Sequence, residues 1–234
     1  MRILVCGSSV VMSDMTSDDA PKTWVYYLQQ KLDCKIVNIA RAGCGNQYMH
    51  DAVLAEVTER HYDLVLVSWN IADRVEVRTR LNIEMDDWTL IGGNPHSEHM
   101  QRNWMWPHTA DEIIKKKDCI AAKNEYFKSR LHLLPHYDVH HQTMLTQVIS
   151  LQSTLKQYCI PYMFTFYRKL LKLSKFDSYY NRIDFDNILD ESMYRFAKNN
   201  NGWNTSTLHP TSAAHAAYAT IVHEFLSTKN LIWP

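Results

Sequence analysis

The chain has 234 residues, 46% of them apolar and 12% aromatic, and its 25 Lys and Arg balance 25 Asp and Glu for a formal charge of zero. That length sets one or two domains, and that apolar content supplies a sizeable core, which excludes a disordered chain. There is no basic excess to neutralise phosphates, against a dedicated nucleic-acid binder, and 6 Gly and 7 Pro without a biased tract exclude a fibrous design.

Residues 3–6 are a short apolar run ending at Gly7, the pattern of a strand buried on both faces. After Pro21, Trp24, Val25, Leu28 and Leu32 recur at helical spacing, with Pro21 suited to a first turn. Residues 35–38 read as a second strand, followed by a glycine-bearing loop over 40–46. Met49, Val53, Leu54 and Val57 mark a second helix, and residues 64–67 a third strand. Strand and helix thus alternate within 70 residues, which implies parallel pairing with right-handed crossovers. The expected fold class is α/β: a three-layer α/β/α sandwich around a central parallel sheet.

Beyond Asn70 the pattern loosens. Residues 81–118 hold Trp88, Trp104, Trp106, Gly92 and Gly93 without a clean period. They are too short for a core of their own and read as an insertion over the sheet of a single domain, 1–234. The three tryptophans fit a sugar-stacking platform or a pin holding the insertion to the core equally well. Residues 137–158 form a long helix carrying Met144, Val148, Leu151 and Leu155, and 161–166 a fourth strand. Residues 170–203 are polar, aromatic and partly helical in pattern. A last helix over 211–226 carries Ala214, Tyr218, Ile221, Val222 and Phe225.

Five cysteines at 6, 34, 44, 119 and 159 are odd in number and widely spaced, which fits free thiols in a reducing compartment better than a disulfide framework. No apolar run approaches the ~18 residues of a membrane span. The run after Arg2 is too short for a signal-peptide core, so a cytoplasmic protein is expected. His132, His136 and His140 are spaced by four, but Pro135 interrupts the helix that would align them. No carboxylate stands at ligand spacing although Asp138 is near, so no metal is expected.

In a parallel α/β sheet, ligands gather at the carboxyl ends of the strands. Here those ends carry Gly7-Ser8-Ser9, then Gly43-Cys44-Gly45-Asn46, then Ser68-Trp69-Asn70, and Leu208-His209-Pro210 precedes the last helix. A hydroxyl, loop N–H groups, a side-chain amide and an imidazole are the set that acyl transfer needs. Each also has a plain structural use. Ser8 and Ser9 suit a strand-to-helix turn, Gly43 and Gly45 a positive φ, Asn70 a helix cap and His209 a surface loop. Cys44 reads as a small buried filler rather than a nucleophile.

In order and spacing, these four blocks resemble the SGNH (GDSL-type) hydrolase superfamily. Cys6-Gly7-Ser8-Ser9 stands at the first block, residues 38–43 at the second, Trp69-Asn70 at the third and Ser206-Thr207-Leu208-His209-Pro210 at the last. The resemblance implies a flavodoxin-like strand order 2-1-3-4, Ser9 as nucleophile, His209 as base, and Gly43 and Asn70 as oxyanion donors. It implies no cofactor, and a small-molecule or carbohydrate ester as partner, an O-acetyl group included; neither nucleic acid nor membrane is expected. Two departures stand out: the first-block Asp is Ser8, and the acid three residues before the histidine is Ser206. A carboxylate from Asp184, Asp186 or Asp190, or a main-chain carbonyl, would have to orient His209 instead. The run Trp69, Arg74, Glu76 also resembles SGNH-like proteins of tailed bacteriophages, which implies a phage origin. The alternatives are a catalytically impaired SGNH-fold protein used for binding or virion assembly and, more weakly, a nucleotide-binding flavodoxin-like domain. The last lacks a phosphate-cradling glycine run after the first strand.

Overall fold

A computed structural model describes residues 1–12, 22–41, 43–72, 75–78, 88–91, 137–170, 172–205 and 209–232. In chain order these hold β1 (Arg2–Cys6), α1 (Trp24–Leu32), β2 (Lys35–Asn38), α2 (Asn46–Glu59), β3 (Leu64–Trp69), β4 (Val75–Arg78) and β5 (Trp88–Ile91). Then follow α3 (Tyr137–Gln157), β6 (Tyr162–Phe166), α4 (Asp177–Tyr180), β7 (Ile188–Leu189), α5 (Met193–Asn199), β8 (Trp203–Asn204), β9 (His209–Pro210) and α6 (Ser212–Thr228). The expected insertion at 81–118 lies outside the described residues except for β5, which pairs antiparallel with β4. His132, His136, Trp104 and Trp106 lie outside them too.

The main sheet runs β2-β1-β3-β6-β7 and every pairing in it is parallel. The expected order of four strands is therefore present, and a fifth, two-residue strand extends it beyond β6. Side chains alternate across the sheet because successive residues of a strand face opposite sides. Leu4, Cys6, Val65, Val67 and Phe164 pack under α2 and α3. Ile3, Val5, Leu64, Leu66 and Met163 pack against α1, α5 and α6 on the other face. All ten are fully buried, and each apolar side chain removed from water contributes about 1.5–3 kcal/mol. Both faces are thus apolar, which is why β1 and β3 read in the sequence as continuous runs rather than as alternation.

α1 and α6 lie side by side, so the two ends of the chain are joined. Trp24 meets Tyr218 edge-on with ring centroids 6.1 Å apart, and the Trp24 N–H donates to His215 Nδ1 at 3.2 Å. Tyr27 Oη and Ser212 Oγ are 2.6 Å apart across the same seam. No helix among the described residues is long and apolar enough to cross a membrane.

Candidate functional site

β1 ends at Gly7, and a tight turn follows in which the Ser8 carbonyl accepts from the Val11 and Met12 N–H groups at 2.8 and 3.0 Å. Ser9 sits on this turn, half-buried, while Ser8 is buried beneath it. Gly7 is required by close approach: a Cβ there would lie 2.5 Å from Val11 Cγ2 and 3.2 Å from Ser68 Cβ. Any side chain at position 7 would push the Ser9 turn off the sheet.

The loop after β2 is sewn to this turn. The Arg41 N–H donates to the Gly7 carbonyl at 2.9 Å, and Cys44 Sγ donates to the same oxygen at 3.2 Å. Asn38 bridges both segments, giving its Nδ2 to the Val11 carbonyl at 3.0 Å and taking the Ala40 N–H at 3.0 Å. Gly43 has φ 78°, a left-handed conformation that costs any other residue strain. Cys44 is therefore more than filler, since its thiol ties the loop to β1.

Asn70 follows β3, buried at 3% exposure, and its Nδ2 donates to the Cys44 carbonyl at 3.0 Å. An amide nitrogen carries two protons, so this bond uses one of them. Asn46, the first residue of α2, grips Asn70 in turn. Its Oδ1 accepts the Asn70 N–H at 2.7 Å and its Nδ2 reaches the Asn70 carbonyl at 3.3 Å. Neither Asn38 nor Asn46 is among the candidates that the sequence singles out; the one available signal is a polar residue at the border of an otherwise apolar element. Asn46→Ala leaves a buried N–H and a buried carbonyl unpaired, so a loss of about 1–3 kcal/mol is expected. Urea denaturation measures it, and an unchanged midpoint would show that the clamp carries no weight.

His209 arrives from the far end of the chain on a two-residue antiparallel ribbon, with Asn204 opposite His209 and Trp203 opposite Pro210. Gly202 seats the ribbon: its N–H donates to the Ala197 carbonyl and its own carbonyl accepts from Thr211, both at 2.7 Å. A Cβ on Gly202 would lie 2.5 Å from Ala214 Cβ, so α6 packs directly on the backbone there. Thr211 caps α6 by accepting the Ala214 N–H at 3.3 Å. The outcome is a contact of 2.9 Å between His209 Nε2 and Ser9 Oγ, across 200 positions of sequence.

Ser206 lies outside the described residues. The three carboxylates that could replace an acid there are held elsewhere. Asp184 accepts from Lys156 Nζ at 2.7 Å and from Tyr162 Oη and Asn187 Nδ2, each at 3.1 Å. Burial pushes its pKa up, but Lys156, Tyr162 and Asn187 outweigh burial and hold it below the ordinary value. Those partners stand at the amino end of β6, the opposite edge of the sheet from Ser9. Asp186 faces Lys229 at 3.5 Å, past the far end of α6, and Asp190 pairs with Lys169 at 2.8 Å.

A separate serine–histidine–aspartate trio lies between α2 and α3. His50 Nε2 is 3.1 Å from Ser150 Oγ, and His50 Nδ1 is 2.8 Å from Asp51 Oδ1. The hydrogen-bond order is that of a catalytic triad, but the setting is not. Ser150 stands in the interior of α3, where backbone N–H groups are spent on the helix and none is left to bind an oxyanion. The trio joins two helices, alongside the 2.7 Å bond from Gln147 Nε2 to Gln47 Oε1. A separate cleft of about 650 Å³ opens at the carboxyl ends of β6 and β7 between Phe166, Leu170, Phe185 and Ile188; Ser9 and His209 do not line it.

The fold is similar to that of ester hydrolases of known structure. It is similar to a psychrotrophic esterase from Pseudoalteromonas sp. inhibited by monoethylphosphonate, with TM-score 0.53, 13% identity and 97% of each chain covered. It is also similar to a catalytic mutant of an acetylxylan esterase from Geobacillus stearothermophilus, with TM-score 0.52, 12% identity, and 100% of this chain and 96% of that one covered. At such identities the likeness establishes the fold. No family model and no curated sequence matches the chain.

Proposed function

We propose that the protein is a serine-dependent SGNH-type ester hydrolase. The observation that carries this is the 2.9 Å contact between Ser9 Oγ and His209 Nε2, two residues brought together from opposite ends of the chain at the carboxyl edge of the sheet. Ser9 Oγ attacks the ester carbonyl carbon while its proton passes to His209 Nε2. The negative charge on the carbonyl oxygen is met by the N–H groups of Ser9 and Gly43 and by the second proton of the Asn70 amide. His209 then gives its proton to the departing alkoxide, and water repeats the sequence on the acyl-enzyme to release the acid and restore Ser9. One oxyanion donor supplies about 10²–10³-fold in rate, and positioned proton transfer about 10²–10⁴-fold. The site needs no metal or cofactor for these steps. An O-acetylated carbohydrate is the substrate class best supported, because an acetylxylan esterase is among the similar folds.

One observation favours a second reading, a catalytically impaired protein used for binding or virion assembly: Ser206 stands where the superfamily has its acid. A serine there carries no charge to stabilise the imidazolium, and loss of the acid costs about 10⁴-fold in a triad. A fluorophosphonate probe with mass spectrometry separates the two. Labelling at Ser9, turnover of p-nitrophenyl acetate, and a gain in turnover for Ser206→Asp are expected for the hydrolase. An unlabelled Ser9 with no turnover in either protein would favour the binding or virion-assembly reading.

A further inference from the structure

Two buried amides, Asn46 and Asn70, are joined in a way that helix formation does not require. They are 4% and 3% exposed. α2 begins at Asn46, after an N-cap glycine, Gly45, that has no side chain to cap it. An asparagine at a helix start ordinarily turns toward the nearby backbone of its own chain segment. Asn46 reaches instead to the residues that follow β3. Its Oδ1 accepts the Asn70 N–H at 2.7 Å, and its Nδ2 lies 3.3 Å from the Asn70 carbonyl and 3.4 Å from the Ile71 carbonyl.

The Asn70 amide is itself locked in one orientation. Its Nδ2 donates to the Cys44 carbonyl at 3.0 Å, and its Oδ1 accepts the Ile71 N–H at 3.1 Å. A flipped amide would set its oxygen against the Cys44 carbonyl and its nitrogen against the Ile71 N–H, losing both bonds. The direction of the second Nδ2 proton is therefore set by the backbone at 70 and 71, and that is the backbone Asn46 holds. The same loop carries Gly43 at φ 78°. Residues 43–46 thus make one piece with Asn70, tied at Cys44 by the Asn70 amide and at Asn46 by the Asn70 backbone.

We propose that Asn46 is a positioning residue for ester hydrolysis, holding the Gly43 N–H and the second Asn70 amide proton at the spacing that an oxyanion needs. The proposal rests on the hydrolase reading, in which those two groups meet the negative charge. Donors fixed before the charge develops need no rearrangement when it does. A misplacement of about 1 Å in such a site costs about 10²-fold in rate. Asn46 acts through Asn70, so its removal should slow the chemical step and leave ground-state binding of the ester alone.

The test is a double-mutant cycle on the full chain, with p-nitrophenyl acetate as substrate: native, Asn46→Ala, Asn70→Ala and the pair. Asn70→Ala keeps the N–H and carbonyl that Asn46 grips, so any purely structural effect of losing Asn46 is the same in both backgrounds. Asn46→Ala is expected to lower kcat by about 10²-fold with KM within about twofold. In the Asn70→Ala background the same substitution is expected to change kcat by less than about twofold, because the amide it positions is gone. Circular dichroism checks that each variant is folded at the assay temperature. Asn46→Ser, which offers a hydroxyl in place of the amide, takes the place of Asn46→Ala in the cycle if the alanine variant is not folded. An unchanged kcat, a loss confined to KM, or the same loss in both backgrounds overturns the positioning role and leaves the hydrolase standing. No turnover by the native chain removes the hydrolase reading and this role with it.

Discussion

Ser9→Ala is expected to lower the turnover of p-nitrophenyl acetate by about 10³-fold or more while leaving thermal unfolding close to that of the native protein. The size follows from the role: without Oγ no acyl-enzyme forms, and the remaining rate is what the oxyanion donors alone extract from water. Stability should hold because Ser9 is half-buried on a turn fixed by the Ser8 carbonyl, and its side chain fills no part of the core. Ser150→Ala is the matched control, since it removes the hydroxyl of the Ser150–His50–Asp51 trio. Turnover in Ser150→Ala should equal that of the native chain. A loss in both variants would mean that neither hydroxyl is a specific nucleophile, and a loss in Ser150→Ala alone would move the chemistry to the helix pair.

The second large effect concerns pH. His215 is 6% exposed, and its Nδ1 accepts the Trp24 N–H, which requires the neutral ring. Burial, reinforced by the nearby His209, lowers its pKa from 6.5 to about 4. The unfolded chain takes up a proton near pH 6.5 that the folded chain refuses until about pH 4. Stability is therefore fully present above pH 6.5 and drains away as pH falls through that window, by about 3 kcal/mol in all. His215→Asn keeps an acceptor for the Trp24 N–H and removes the titration. Urea midpoints at pH 7, 5.5 and 4.5 should converge between the two proteins as pH falls, with the variant weaker at pH 7 and losing less. Parallel curves would assign the acid sensitivity to another group.

Much of the fold and of the site is legible in the amino-acid sequence. Residues 3–6 and 64–67 announce themselves because a parallel strand covered on both faces has no polar position to hide it. Gly7, Ser9, Gly43, Asn70 and His209 stand out because strand ends in such a sheet are where chemistry collects, so position adds meaning to otherwise ordinary residues. The features that leave no mark in the sequence depend on tertiary contact. β7 has two residues and thus no period, and it exists only through its pairing to β6. The β8–β9 ribbon is set by Gly202 against Ala214, a contact between segments that carry no strand signal. Asn46 reads as one more polar helix residue until the Asn70 backbone is seen on both of its amide atoms. The Ser150 trio spans a hundred positions and emerges only once α2 and α3 are laid together.

The clasp between α1 and α6 couples assembly of the candidate site to closure of the core. Ser9 and His209 stand 200 positions apart, and α6, which directly follows the histidine's ribbon, covers the apolar side of α1. Contacts of such sequence separation form late, after loop closure has been overcome. A chain stopped before β9 therefore lacks both His209 and the helix that covers one face of its core. Such a fragment exposes apolar surface, which marks it for degradation, and it lacks the Ser9–His209 contact. The candidate site and the core are closed by the same segment.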